Sequence, residues 1–234
     1  MKAQMIERTT QNAWIVLQSA VLLLLLCSAF IAERTHIVGL MIAAAGLTGF
    51  AYLFLSAKEE RARIPNLVTA LRLLTSVGVF LYVVLHGQKI ISYTLFLMLV
   101  CIEITDFVDG YIAKKVGPTA FGATWDMEAD AYFLFLLSFI AHFYFGLGSW
   151  VLLIGAIRYI FAFVFTFFPR PSRYPPVFRL FAKGVCVFAA GALISLTAPF
   201  ATPVLRIVLN AVATACLLVS FLWETGLGLM EQRS

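Results

Sequence analysis

What most constrains this chain is a succession of apolar runs, each long enough to cross a bilayer, joined by short polar connections. A helix rises about 1.5 Å per residue, so some 20 apolar residues cover a hydrocarbon core of about 30 Å. Runs of about that length fall at 13–32, 37–57, 66–85, 89–113, 121–145, 149–168, 176–198 and 204–228. Within lipid, a segment that cannot close a barrel must satisfy its backbone hydrogen bonds internally, so each run reads as a helix. The expected fold is all-α, a polytopic membrane protein of about eight transmembrane helices. With 62% hydrophobic and 12% charged residues, the composition excludes a soluble domain. The first run has no small-x-small cleavage site before Glu33-Arg34, so it reads as a retained span rather than a signal peptide.

Lys and Arg divide unevenly between the two sides of such a bundle. With eight spans, both termini share a side with the loops near 58–64, 114–120 and 169–175. Counting Arg179, that side holds eleven of the seventeen cations; Arg34, Lys89 and Arg206 lie opposite, and Arg72, Arg158 and Lys183 lie within spans. The positive-inside rule puts both termini on the cytoplasmic side of a plasma or inner membrane. The net charge of +5 is then a topology and anionic-lipid signal, and no nucleic-acid partner is expected.

Between Arg61 and Trp223 all six acidic side chains fall inside residues 103–130: Glu103, Asp106, Asp109, Asp126, Glu128 and Asp130. A carboxylate near the middle of a span costs roughly 2.5–3.5 kcal/mol, so a cluster of them points to function. Asp106, Asp109 or Gly110, and Ala113 recur at helical spacing along one face; Gly122, Asp126 and Asp130 recur every four residues along another. Joined by the connection Lys114–Thr119, the two faces bring four carboxylates together. Four negative charges repel in a poor dielectric, and two divalent cations cancel them. An all-oxygen donor set suits Mg²⁺ or Mn²⁺. The plain alternative is a set of helix-end carboxylates facing water. As a metal site, the cluster can clamp a pyrophosphate while a carboxylate takes the proton of an attacking hydroxyl. Gly110 and Ala113 leave room for a base or a sugar against the helix. The residues alone lead to metal-assisted phosphoryl-type transfer at a membrane surface.

Other polar residues read in two ways. Asn66, Thr69, Arg72 and Ser76 form a stripe on the helix that Pro65 opens; it faces a nucleotide or phosphate pocket, or else caps and snorkels at the water boundary. Arg158 lies roughly 16 Å into its span, near the level of Asp130, and needs an anion there. A phosphate-bearing substrate supplies one, and so does an ion pair with Glu103 or an Asp. Arg179 and Lys183, four residues apart, meet the same phosphate or lipid headgroups. Glu128 points off the ligand face, which suggests a loop, capping or headgroup role. Glu103 reads as a neighbour of the ligands or a plain buried acid. The three His lie near span ends away from the cluster, and the four Cys fall in separate spans with no metal or disulfide spacing.

The stretch 106–130 resembles the signature of the CDP-alcohol phosphatidyltransferase family, D-x2-D-G-x2-A-R-x8-G-x3-D-x3-D. Asp106, Asp109, Gly110, Ala113, Gly122, Asp126 and Asp130 match seven of its eight fixed positions. Lys114 stands where the family has Arg, and the spacer before Gly122 is seven residues rather than eight. Lys keeps the charge but loses the two-pronged guanidinium grip on phosphate. The resemblance implies transfer of a phosphatidyl group from a CDP-linked donor, usually CDP-diacylglycerol, to an alcohol, with release of CMP. It implies that Asp106, Asp109 and Asp126 are metal ligands, and that Asp130 both ligates metal and acts as general base. Gly110, Ala113 and Gly122, with Asn66 and Thr69 from the stripe, would line the nucleotide and donor site, and Lys114 would lie near the donor phosphates. A six-helix core, commonly a homodimer, is implied as well.

The charged linker 58–64 marks the expected division: residues 1–60 as a two-helix membrane extension and 61–234 as the six-helix domain. Arg158, Arg179 and Lys183 favour a phosphorylated polyol as acceptor. Three alternatives stay open: a divalent-cation transporter, a catalytically inactive scaffold, and a CDP-choline or CDP-ethanolamine type enzyme acting on diacylglycerol.

Overall fold

A computed structural model of the chain describes residues 2–32, 34–57, 63–87, 93–117, 119–167 and 174–231; the side chains of 2–12, 109, 114, 166 and 167 lie outside that description. The described residues form eight α-helices and no strand. These are α1 (Lys2–Ile31), α2 (Thr35–Ser56), α3 (Ile64–His86), α4 (Tyr93–Val116), α5 (Ala120–Phe143), α6 (Leu152–Phe167), α7 (Pro176–Ile194) and α8 (Pro203–Glu231). The chain is all-α, as its apolar runs require.

By length and composition α2, α3 and α8, the stretch Ala13–Ile31 of α1, and α7 with the turn after it are apolar enough to cross a membrane. α4 and α5 carry the acidic window, and α6 is a shorter apolar helix. Consecutive helices pair as antiparallel hairpins. In the first, Trp14 meets Phe50 edge-on with ring centroids 5.9 Å apart, and Gln18 Nε2 donates to the Ala45 carbonyl (3.2 Å). In the last, Phe178 meets Trp223 and Asn210 Nδ2 donates to the Ala192 carbonyl (2.9 Å).

α5 is the axis of the bundle. Every residue from Ala131 to Ala141 is buried, because the sequence there is apolar on all sides. It packs against α2, α3, α6 and α7. The N-terminal hairpin shares this core: α1 lies on α6, and α2 lies on α3 and α5. At Gly46 the absence of a side chain admits the Tyr132 ring, and the Tyr132 hydroxyl donates to the Ile42 carbonyl (2.9 Å).

The connection between α4 and α5 is shorter than the expected Lys114–Thr119. Nothing before Gly117 breaks a helix, so α4 continues through Val116. Gly117 then takes φ 98°, a conformation that favours glycine, and the Thr119 hydroxyl caps α5 by accepting from the Gly122 amide (3.0 Å). Arg63, at the head of α3, donates to the Gly117 carbonyl (3.3 Å) and ties the turn to a third helix. On either side of this connection, Asp106 of α4 and Asp126 and Asp130 of α5 bring carboxylate oxygens within 4.8 Å of one another.

Candidate active site

Three helices meet around one guanidinium. Arg72, two turns into α3, donates to Asp106 of α4 and to Asp126 and Asp130 of α5; the Nη2 contacts to Asp126 and Asp130 measure 2.9 and 2.6 Å. The Arg72 side chain is 6% exposed, against 25, 41 and 45% for the three carboxylates, so the cluster is floored by the arginine and opens outward along its acids. One oxygen from each of Asp106, Asp126 and Asp130 lies within 4.8 Å of the others. The side chains of Asp109 and Lys114 lie outside the described residues.

Among the described side chains, three carboxylates share one guanidinium at the edge of an apolar bundle, where like charges repel strongly. The donor set is hard oxygen and its three members converge from two helices, which fits a divalent metal.

Two cavities have Asp126 among their lining residues. The first, of about 110 Å³, is lined by Asn66 and Thr69 from α3, Gly110 and Ala113 from α4, and Gly122 from α5. Five residues expected at the nucleotide thus converge on one cavity beside a carboxylate. Asn66 and Thr69 are buried, so the stripe on α3 faces inward and not the water boundary. The second cavity, of about 340 Å³, has Asp126 and Asp130 on α5, Arg158 on α6 and Lys183 on α7 among its lining residues. Arg179, one turn before Lys183, is exposed and is absent from that lining.

Two residues have roles that the spacing did not reveal. Arg72 read as one member of a stripe, whereas it is the hub of the carboxylates. The available signal was an arginine two turns into an apolar helix, which demands anionic partners. Glu128 was expected in a loop, capping or headgroup role. Instead it is 3% exposed and accepts from Arg158 Nη2 at 2.5 Å. The reason is the neighbour: α6 packs closely on α5, which puts Arg158 beside Glu128. The ion pair foreseen for Arg158 with Glu103 or an Asp therefore forms with Glu128.

Residues 62–223, more than half of the chain, match the family described as CDP-alcohol phosphatidyltransferase. A CDP-diacylglycerol–glycerol-3-phosphate 3-phosphatidyltransferase of Cereibacter sphaeroides is 36% identical over 94 residues, 38% of this chain and 41% of that protein. The chain therefore spans less than half the length of this relative. No solved structure matches the chain.

Proposed function

This chain belongs to the CDP-alcohol phosphatidyltransferase family, and we propose that it transfers a phosphatidyl group from CDP-diacylglycerol to a phosphorylated polyol, releasing CMP. The observation that carries this reading is the second cavity, where Asp126 and Asp130 face a space that also holds Arg158 and Lys183. A proton acceptor and a phosphate-binding pair are both needed by an acceptor that bears a hydroxyl at one end and a phosphate at the other. Glycerol 3-phosphate is the first acceptor to test, in keeping with the name of the similar Cereibacter sphaeroides protein.

The two cavities then have separate tasks. Asn66, Thr69, Gly110, Ala113 and Gly122 receive the cytidine end of the donor, and Lys114 neutralises its phosphates. Arg158 and Lys183 hold the acceptor phosphate and turn its hydroxyl towards the carboxylates. Asp130 takes the hydroxyl proton as the oxygen attacks the phosphorus that carries the diacylglycerol. The pyrophosphate bridge to that phosphorus breaks, and CMP departs with the bond's electron pair. Asp106, Asp109, Asp126 and Asp130 would hold Mg²⁺ or Mn²⁺. When bound, such ions draw charge from the pyrophosphate and stabilise the leaving phosphate. Arg72 orients Asp106, Asp126 and Asp130 towards one point.

The same reading sets the protein in its membrane. Both termini and the carboxylates lie on the cytoplasmic side, where the cations concentrate and where a soluble polyol phosphate is met. Helices α1 and α2 precede the family-matched residues and form an extension to a six-helix core that pairs as a homodimer.

The test is Mn²⁺-dependent CMP release from CDP-diacylglycerol by purified protein, with glycerol 3-phosphate, inositol phosphate and neutral alcohols compared as acceptors. Release with a phosphorylated polyol supports the proposal. No release with any acceptor, together with ion movement in liposomes, replaces it with a transporter.

A further inference from the structure

The ion pair between Glu128 and Arg158 has no part in the family signature. Its geometry is nonetheless specific. Gly155 of α6 lies directly on α5: a Cβ there would collide with the Ser138 hydroxyl and the Phe135 backbone. This close approach, three residues before Arg158, holds the arginine within reach of Glu128. The side chains are 15 and 3% exposed, so both charges have left water.

A purely structural pair of this kind is worth little, because desolvation offsets the attraction, and apolar residues of similar volume serve as well. Where Arg and a carboxylate do stabilise one another, they often meet fork to fork through two parallel bonds. Here Arg158 donates to Glu128 from Nη2, while its Nε is buried without a partner. The same arginine lines the cavity that contains Asp126, Asp130 and Lys183.

We propose that Glu128 is a positioning residue that grips one nitrogen of Arg158 and keeps the rest of the guanidinium turned to the anionic end of the acceptor. This rests on the function proposed above and adds the residue that sets the acceptor site. Glu128 itself touches no substrate. Its charge also offsets one of the two cations beside the cavity, so a phosphate binds there without being held too tightly to leave.

The test uses the full-length protein in detergent, with Glu128→Ala, Glu128→Gln, Arg158→Ala and the double variant Glu128→Ala/Arg158→Ala. Glu128→Ala raises the KM for glycerol 3-phosphate about ten-fold or more and leaves the KM for CDP-diacylglycerol within about two-fold. The double variant is no worse than Arg158→Ala, because Glu128 acts only through that arginine. An unchanged acceptor KM in Glu128→Ala, or effects that multiply in the double variant, overturns the proposal. Glu128→Gln keeps the volume and an acceptor oxygen, and it carries the test if the alanine variant fails to fold. For it, calorimetric titration with glycerol 3-phosphate, without donor, shows weaker binding than wild type. Equal binding by both overturns the positioning role alone. Wild-type protein that neither binds nor consumes any phosphorylated polyol overturns the proposed acceptor and this inference together.

Discussion

At the scale of single residues, the carboxylates and Arg72 divide two tasks, assembly and chemistry. Asp130→Asn keeps the size and hydrogen-bonding reach of the side chain but removes the proton acceptor. It should abolish CMP release while Mn²⁺ binding, followed by electron paramagnetic resonance, is largely retained; loss of both would make Asp130 a ligand first. Arg72→Met removes the cation that three carboxylates share. Breaking a buried pair costs about 3–5 kcal/mol, and the partial exposure of these acids reduces that to about 1–3 kcal/mol. In EDTA the variant should therefore melt several degrees below wild type, about 2–4 °C per kcal/mol for a domain of this size. Mn²⁺ should restore more of its Tm than it adds to wild type. A metal-free Tm equal to wild type would show that water, not Arg72, settles the charge. Lys114→Arg restores the family's cation and should retain or raise activity. Total inactivation would mean that the shortened turn requires Lys.

At the scale of elements, the site depends on how helices end and how closely they approach. The α4–α5 turn places Asp106 and Asp126 on facing helices, and Gly117 at φ 98° is its pivot. An L-residue in the left-handed region costs roughly 1–2 kcal/mol, so Gly117→Ala should lower Tm by a few degrees. Activity should fall further than that loss explains, because the turn sets the register of both carboxylate faces. A variant with lowered Tm but full activity would show that register survives the strain. Gly155 has the parallel role for α5 and α6. A bulky residue there would push Arg158 away from Glu128 and open the second cavity.

At the scale of the whole molecule, α5 is wrapped by other helices and carries two ion-paired groups of acids. Asp126 and Asp130 turn to Arg72, and Glu128 turns to Arg158. The N-terminal hairpin completes the wrapping through Phe50 and Tyr132, whose ring centroids are 5.2 Å apart. The uneven distribution of Lys and Arg predicts where this assembly sits in the bilayer. A fluorescent protein fused to the C-terminus should glow in intact bacterial cells, and a periplasm-dependent phosphatase at the same place should be inactive. The reverse result would invert the topology and remove the site from the cytoplasm.

The all-α character, the approximate place of each helix and the carboxylate window follow from sequence alone, because hydrophobic length and a period of 3.6 are properties of single segments. The start of α1 and the end of α4 did not, since polar residues continue both helices beyond their apolar runs. Pro65 opening α3 was legible for the same reason. The meeting of Asn66, Thr69, Gly110, Ala113 and Gly122 at one cavity was only an expectation until three helices were packed. Arg72 at the centre of the acids and Glu128 beneath Arg158 belong wholly to tertiary structure. Periodicity says which residues share a face, but which neighbour covers that face depends on packing between helices distant in sequence. A buried charge takes its role from the partner that packing supplies.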